Sequence, residues 1–144
     1  MKNAKQLLQD KLRPGIFAVS PDSTVFQALQ LMAEKDIGAL LVMENEVLVG
    51  IFSERDYARK VVLQGKTSAS TPIRDIMTAK VVFARLDSSI DECMALMSER
   101  RIRHLPVIDN NKVVGVLSIT DLVRATIAEQ QFVIEQLEHY ISGQ

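Results

Sequence analysis

The stretch Arg103-His-Leu-Pro-Val-Ile-Asp-Asn-Asn-Lys-Val-Val-Gly-Val-Leu-Ser-Ile-Thr-Asp121 contains two short apolar runs, Leu105–Ile108 and Val113–Leu117, separated by Asp109-Asn110-Asn111. Such runs split by Asn and acidic residues predict a β-hairpin. The hairpin ends in Ser118-Ile-Thr120-Asp121, where a helical pattern begins. Gly38-Ala-Leu-Leu-Val-Met-Glu-Asn-Glu-Val-Leu-Val-Gly-Ile-Phe-Ser-Glu-Arg-Asp56, 65 residues upstream, has the same design, with runs Ala39–Met43 and Val47–Phe52 around Glu44-Asn45-Glu46. Laid over 87–124 without a gap, residues 22–59 are identical at 14 of 38 positions. Ordinary composition would give roughly two or three such matches by chance. The chain is therefore an internal repeat.

Outward from each hairpin the pattern stays parallel. Ser23 and Ser88 precede apolar positions at helical spacing, Val25, Ala28, Leu29 and Met32 in one copy and Ile90, Cys93, Met94 and Met97 in the other. A second helix is predicted from Ser53 to about Leu63, and its counterpart from Ser118 through Tyr140. The expected order is strand, helix, strand, strand, helix, twice. The expected division is 1–64 for the first repeat, 65–72 for a Ser/Thr/Gly-rich linker and 73–144 for the second repeat with an extended C-terminal helix. Leu122, Thr126, Phe132, Val133, Leu137 and Tyr140 carry an apolar stripe beyond what one repeat needs, which predicts a partner helix and hence a homodimer.

Composition narrows the function. The 144 residues are 47 % hydrophobic with no Trp, so the core is aliphatic. A net charge of −1 argues against a nucleic-acid partner. Cys93 is the only cysteine, which excludes an intrachain disulfide and fits a reducing compartment; it reads as a small buried hydrophobe. No run is long enough for a membrane span, and Met1–Leu12 is too polar for a signal peptide, so a cytoplasmic protein is expected. The only histidines are His104 and His139, and there is no metal-ligand cluster, phosphate loop or nucleophile–base pair, so no enzymatic activity, no metal and no catalytic cofactor are expected.

The two hairpin-to-helix segments, with Arg74-Asp75-Ile76-Met77-Thr78 as a lead-in, resemble cystathionine-β-synthase (CBS) domains over nearly the whole chain. The resemblance implies an α/β (α+β) fold of two β-α-β-β-α repeats packed by pseudo-twofold symmetry, a Bateman module. It also implies two ligand clefts between the repeats and association into a dimer. Family ligands are AMP, ADP or ATP, and in some members S-adenosylmethionine or NAD(H); AMP is the first expectation here. The regulated partner protein is not identified by the sequence.

Carried onto this chain, the resemblance implies a full nucleotide site of Ile16, Ile37, Arg103, His104, Ser118, Thr120 and Asp121. The N-terminus of the helix at Ser118 offers N–H groups to a phosphate. Asp121 is an acceptor for both ribose hydroxyls, Thr120 a donor to ribose or phosphate, and Arg103 and His104 bring charge to the phosphate. Ile16 and Ile37 would sandwich the base. A partial site comprises Gly38, Ala39, Ser53, Arg55, Asp56, Met77, Val81 and Ile102; it lacks the Arg–His pair and has Arg55 in place of Thr120. Plainer roles stand beside these. Ser-x-x-Asp is also a helix cap, Arg103 fits a solvated surface residue, His104 fits a packed one, and Gly50 and Gly115 fit close packing. Two functions compete on this basis, an adenine-nucleotide sensor that signals to a partner and a ligand-free dimerisation scaffold.

Overall fold

The sequence repeat is matched by a repeat of backbone. In the computed structural model, which describes residues 2–11 and 15–143, the elements are α1 (Ala4–Gln9), β1 (Ala18–Val19), α2 (Val25–Lys35), β2 (Ala39–Glu44), β3 (Val47–Ser53) and α3 (Glu54–Asp56). They continue with α4 (Ile90–Arg100), β4 (His104–Asp109), β5 (Lys112–Ser118) and α5 (Ile119–Ser142), in a mixed α+β fold. The chain forms two packing units. The central unit is Ile16–Val81, and the terminal unit joins Met1–Gly15 to Val82–Gln144.

In the central unit β1 lies parallel to β2, and β2 antiparallel to β3. In the terminal unit β4 and β5 form the matching hairpin. Each hairpin has a register shift at the same place, Val42/Met43 and Val107/Ile108. Each turns through two residues of positive φ, Asn45 and Glu46 at 52° and 66°, and Asn110 and Asn111 at 49° and 63°. Two successive left-handed residues match the right-handed twist of the flanking strands, so the polar pairs seen in the sequence have a geometric cause. The expected opening strand of the second repeat is reduced to one parallel bridge, Ala84 to Val107.

The helices start on side-chain caps. Thr24 and Gln27 form a capping box at α2, and the Glu92 N–H donates to the Ser89 hydroxyl at α4. The caps are thus one residue beyond Ser23 and Ser88. Both helices stop on a left-handed residue, Asp36 at φ 54° and Arg101 at φ 55°. The helix expected over Ser53–Leu63 is α-helical only to Asp56; Tyr57–Val62 is π-helical.

The 65–72 segment does structural work that its composition does not advertise. The Val25 and Phe26 N–H groups donate to the Thr71 and Ser68 carbonyls (2.9 and 3.0 Å), which satisfies two orphan donors at the start of α2. Thr71 itself is buried, its hydroxyl donating to the Thr67 carbonyl.

Packing boundaries differ from repeat boundaries at the lead-ins. Ile73 and Arg74, which open the second repeat in sequence, donate their N–H groups to Ser23 and Pro21 in the central unit (2.8 and 3.1 Å). Ala4 and Lys5, which open the first, donate to Ser88 and Leu86 in the terminal unit (2.8 and 2.9 Å). Each repeat's opening segment thus folds on the other repeat's hairpin and first helix. Burial is the cause. The central core of Val25, Ala28, Met32, Leu40, Val42, Phe52 and Val61 is completed by Ile73 and Ile76. The terminal core of Ile90, Cys93, Met97, Leu105, Val107, Leu117 and Leu122 is completed by Ala4 and Leu7. A fully buried aliphatic side chain contributes about 1.5–3 kcal/mol, so neither lead-in is a loose end.

Candidate ligand site at the strand-to-helix turns

In the terminal unit β5 runs into α5 at Ser118. The Asp121 N–H donates to Ser118 Oγ (3.2 Å) and the Ser118 N–H to Asp121 Oδ2 (2.8 Å). The capping reading of Ser-x-x-Asp is therefore correct, and it orients the carboxylate at the helix N-terminus. His104 pairs with Ser118 across the hairpin, and the Arg103 carbonyl accepts the Ile119 N–H (2.9 Å). Thr120 is exposed in the first turn of α5. Five of the residues singled out in the sequence, Arg103, His104, Ser118, Thr120 and Asp121, thus gather at one end of one hairpin.

A sixth residue joins them that sequence reading missed. Lys11 Nζ donates to Asp121 Oδ2 at 2.7 Å and to the Val116 carbonyl at 2.9 Å. Both side chains of the pair are largely shielded, at 16 % and 14 % exposure. The proximity also acts on His104. Burial first, then the Lys11 charge, hold its imidazole below the ordinary value of 6.5; Arg103 acts in the same direction and Asp121 against it.

The central unit repeats the turn with a different cation. Ser53 and Asp56 cap α3 reciprocally, the Ser53 N–H donating to Asp56 Oδ2 at 3.0 Å and the Asp56 N–H to Ser53 Oγ at 3.2 Å. Ala39 pairs with Ser53, and the Gly38 carbonyl accepts the Glu54 N–H (3.2 Å), as Arg103 does for Ile119. Asp56 is buried, with Lys60 Nζ at 3.0 Å and the Thr78 hydroxyl at 3.2 Å from Oδ1. Lys60 is four residues along from Asp56, so its spacing was a readable signal; Lys11 is 110 residues from Asp121 and gave none.

The remaining candidates sit in varied settings. Met77 packs on the central sheet, where a Cβ at Gly50 would stand 2.6 Å from its Sδ. Val81 is half-buried and Arg55 exposed. Ile16 is exposed, while Ile37 packs on the central core. Ile102 packs on the terminal core. Gly115, like Gly50, is a close-packing glycine. Among the described residues no group of three or more His, Cys, Asp or Glu could hold a metal ion, and no helix is long and apolar enough to cross a membrane.

Known proteins resemble the chain in sequence and fold. The family described as "CBS domain" matches twice, at residues 6–63 and 73–128. A CBS-domain protein from Burkholderia ambifaria MC40-6 has a solved structure with TM-score 0.86 and 50 % identity, over 90 % of this chain and 96 % of that one. The "CBS domain-containing protein CBSX3, mitochondrial" of Arabidopsis thaliana is 40 % identical over 127 residues, 85 % of this chain but only 62 % of the relative. The CBS domain pair of protein MJ0100, solved with 5′-methylthioadenosine and S-adenosyl-L-methionine, has TM-score 0.75 and 28 % identity, covering 87 % of this chain and 99 % of that one. With two family matches that between them span most of its length, the chain belongs to the CBS-domain family, as a tandem pair.

Proposed function

We propose that the protein is a regulatory module that binds an adenine nucleotide, AMP, ADP, ATP or NAD(H), at the Ser118–Asp121 turn and passes its occupancy to a partner protein without catalysis. The observation that supports this most directly is the Asp121 carboxylate, held at the N-terminus of α5 by its reciprocal cap with Ser118. A carboxylate has about four acceptor positions, and the cap and Lys11 both use Oδ2. Ribose hydroxyls can donate to such a group while a phosphate meets the helix N–H groups. The adenosyl ligands of the MJ0100 pair supply the precedent for the ligand class.

Titration calorimetry with AMP tests it. A hydrogen bond to a charged group is worth roughly 1.5–3 kcal/mol, so Asp121→Ala should weaken binding by about ten- to a hundredfold. Asp56→Ala should cost less at the tightest site, because Gly38 and Ala39 stand where Arg103 and His104 do. Tight binding that survives Asp121→Ala but is lost in Asp56→Ala would put the site in the other unit. The second reading, a ligand-free scaffold, is favoured by the exposed apolar length of α5. A thermal-shift series with AMP, ATP, NADH and S-adenosylmethionine in which nothing raises the melting temperature would support the scaffold.

A further inference from the structure

The two strand-to-helix turns carry the same cap but different charge. Beside Asp121 stand Lys11, in contact, and Arg103, both acting electrostatically on the intervening His104. Ile119 and Thr120, the other residues of that first helical turn, are neutral, so the turn gathers two cations, Lys11 and Arg103, and one carboxylate. At Asp56 the cation Lys60 is joined by Arg55, but Glu54 adds a second carboxylate in the same turn, and the charges cancel. Of the two lysines, the one at Asp121 is the better shielded, while Arg103 is exposed. Lys11 is 16 % exposed against 44 % for Lys60, and a shielded charge acts through less water.

We propose that Lys11 selects an anionic adenine nucleotide at the Asp121 turn over neutral or cationic adenosyl compounds. The inference rests on the reading of that turn as an adenine-ligand site and names its ligand class. A neutral nucleoside must share the carboxylate with an ammonium that offers it nothing in return. A sulfonium meets two like charges. A nucleotide can place a phosphate within reach of Lys11, whose ammonium has three donors, two of them used among the described residues by Asp121 and the Val116 carbonyl. Each new bond is then between ionised partners, the stronger class of hydrogen bond. Lys11 is contributed by the opening segment of the first repeat, whereas Asp121 belongs to the second. The chain's N-terminal segment thus helps to set the specificity of a turn 110 residues away.

The test is calorimetric titration of AMP and 5′-methylthioadenosine into wild type, Lys11→Met and Lys11→Arg. In the wild type AMP should bind at least about tenfold tighter, the scale of one charge-assisted hydrogen bond. Lys11→Met should bring the two affinities to within a few-fold of each other, mainly by weakening AMP, and Lys11→Arg should keep the preference. Equal wild-type affinities overturn the proposal without any variant, so a poorly folded Lys11→Met protein cannot shelter it. An AMP preference that Lys11→Met leaves unchanged, or a loss of equal factor for both ligands, also overturns it while leaving the adenine site in place. Failure of the wild type to bind either compound overturns this inference, and the adenine-site reading falls with it when ATP, NADH and S-adenosylmethionine fail to bind as well.

Discussion

Leu8 lies over Gly115 so closely that a Cβ at position 115 would stand 2.5 Å from Leu8 Cδ2. Met77 does the same to Gly50 in the other unit, at 2.6 Å from Sδ, with the Thr78 carbonyl at 3.0 Å as well. The two glycines are alike in sequence, but their covers yield differently. A leucine side chain can rotate away; a backbone carbonyl paired with Ile51 cannot. Overpacking costs about 1–3 kcal/mol, so Gly50→Ala should destabilise towards the upper end and Gly115→Ala less. Leu8→Ala should offset part of the Gly115→Ala loss, because the two changes share one contact. Urea melts of the four variants measure both effects; additive losses at 8 and 115 would show that the contact is not the cause.

Substitution near a chain terminus is usually tolerated, yet Leu7 is 4 % exposed in the terminal core. Leu7→Ala should therefore destabilise by about 2–5 kcal/mol, as a core truncation does. In hydrogen exchange the loss of protection should fall on β4, β5 and α4, the elements of its own packing unit. Loss confined to residues 16–64 instead would place the lead-in on the wrong hairpin.

His104 gives stability a pH dependence of definite sign. Burial and the charges of Lys11 and Arg103 keep its folded-state affinity for a proton below that of the ordinary histidine at 6.5, with Asp121 opposing. The unfolded chain then takes up the proton first as pH falls, and stability declines below about 6.5. Between pH 7.5 and 5 the wild type should lose more stability than His104→Gln, in denaturant melts at fixed ionic strength. Parallel losses would mean that His104 titrates normally in the folded protein.

All described residues of α5 from Gln130 onward are exposed, including Phe132, Val133, Ile134, Leu137 and Tyr140. Buried against a second copy these side chains would leave water, and the expected solution mass is twice the 16.1 kDa of one chain. Phe132→Glu with Leu137→Glu should return light scattering to the monomer value while the melting of the two units is retained. A wild-type monomer at micromolar concentration would contradict the expectation.

The sequence by itself determined the features whose cause is local. The 65-residue repeat, the Asn-containing hairpin turns and the Ser-x-x-Asp starts of α3 and α5 are legible because turn and cap geometry depends on residues at most four apart. The same holds for the helical spacing of Val25, Ala28 and Met32 and of Ile90, Cys93 and Met97. Only the tertiary structure decided where the lead-ins go. Ala4 and Leu7, like Ile73 and Ile76, are apolar residues at helical spacing that would satisfy either hairpin, and which core they complete is a matter of chain path and volume. From that path follows the Lys11–Asp121 pair. An ion pair needs only two opposite charges within about 4 Å, and among 17 basic and 18 acidic residues no sequence pattern says which of them the fold brings that close.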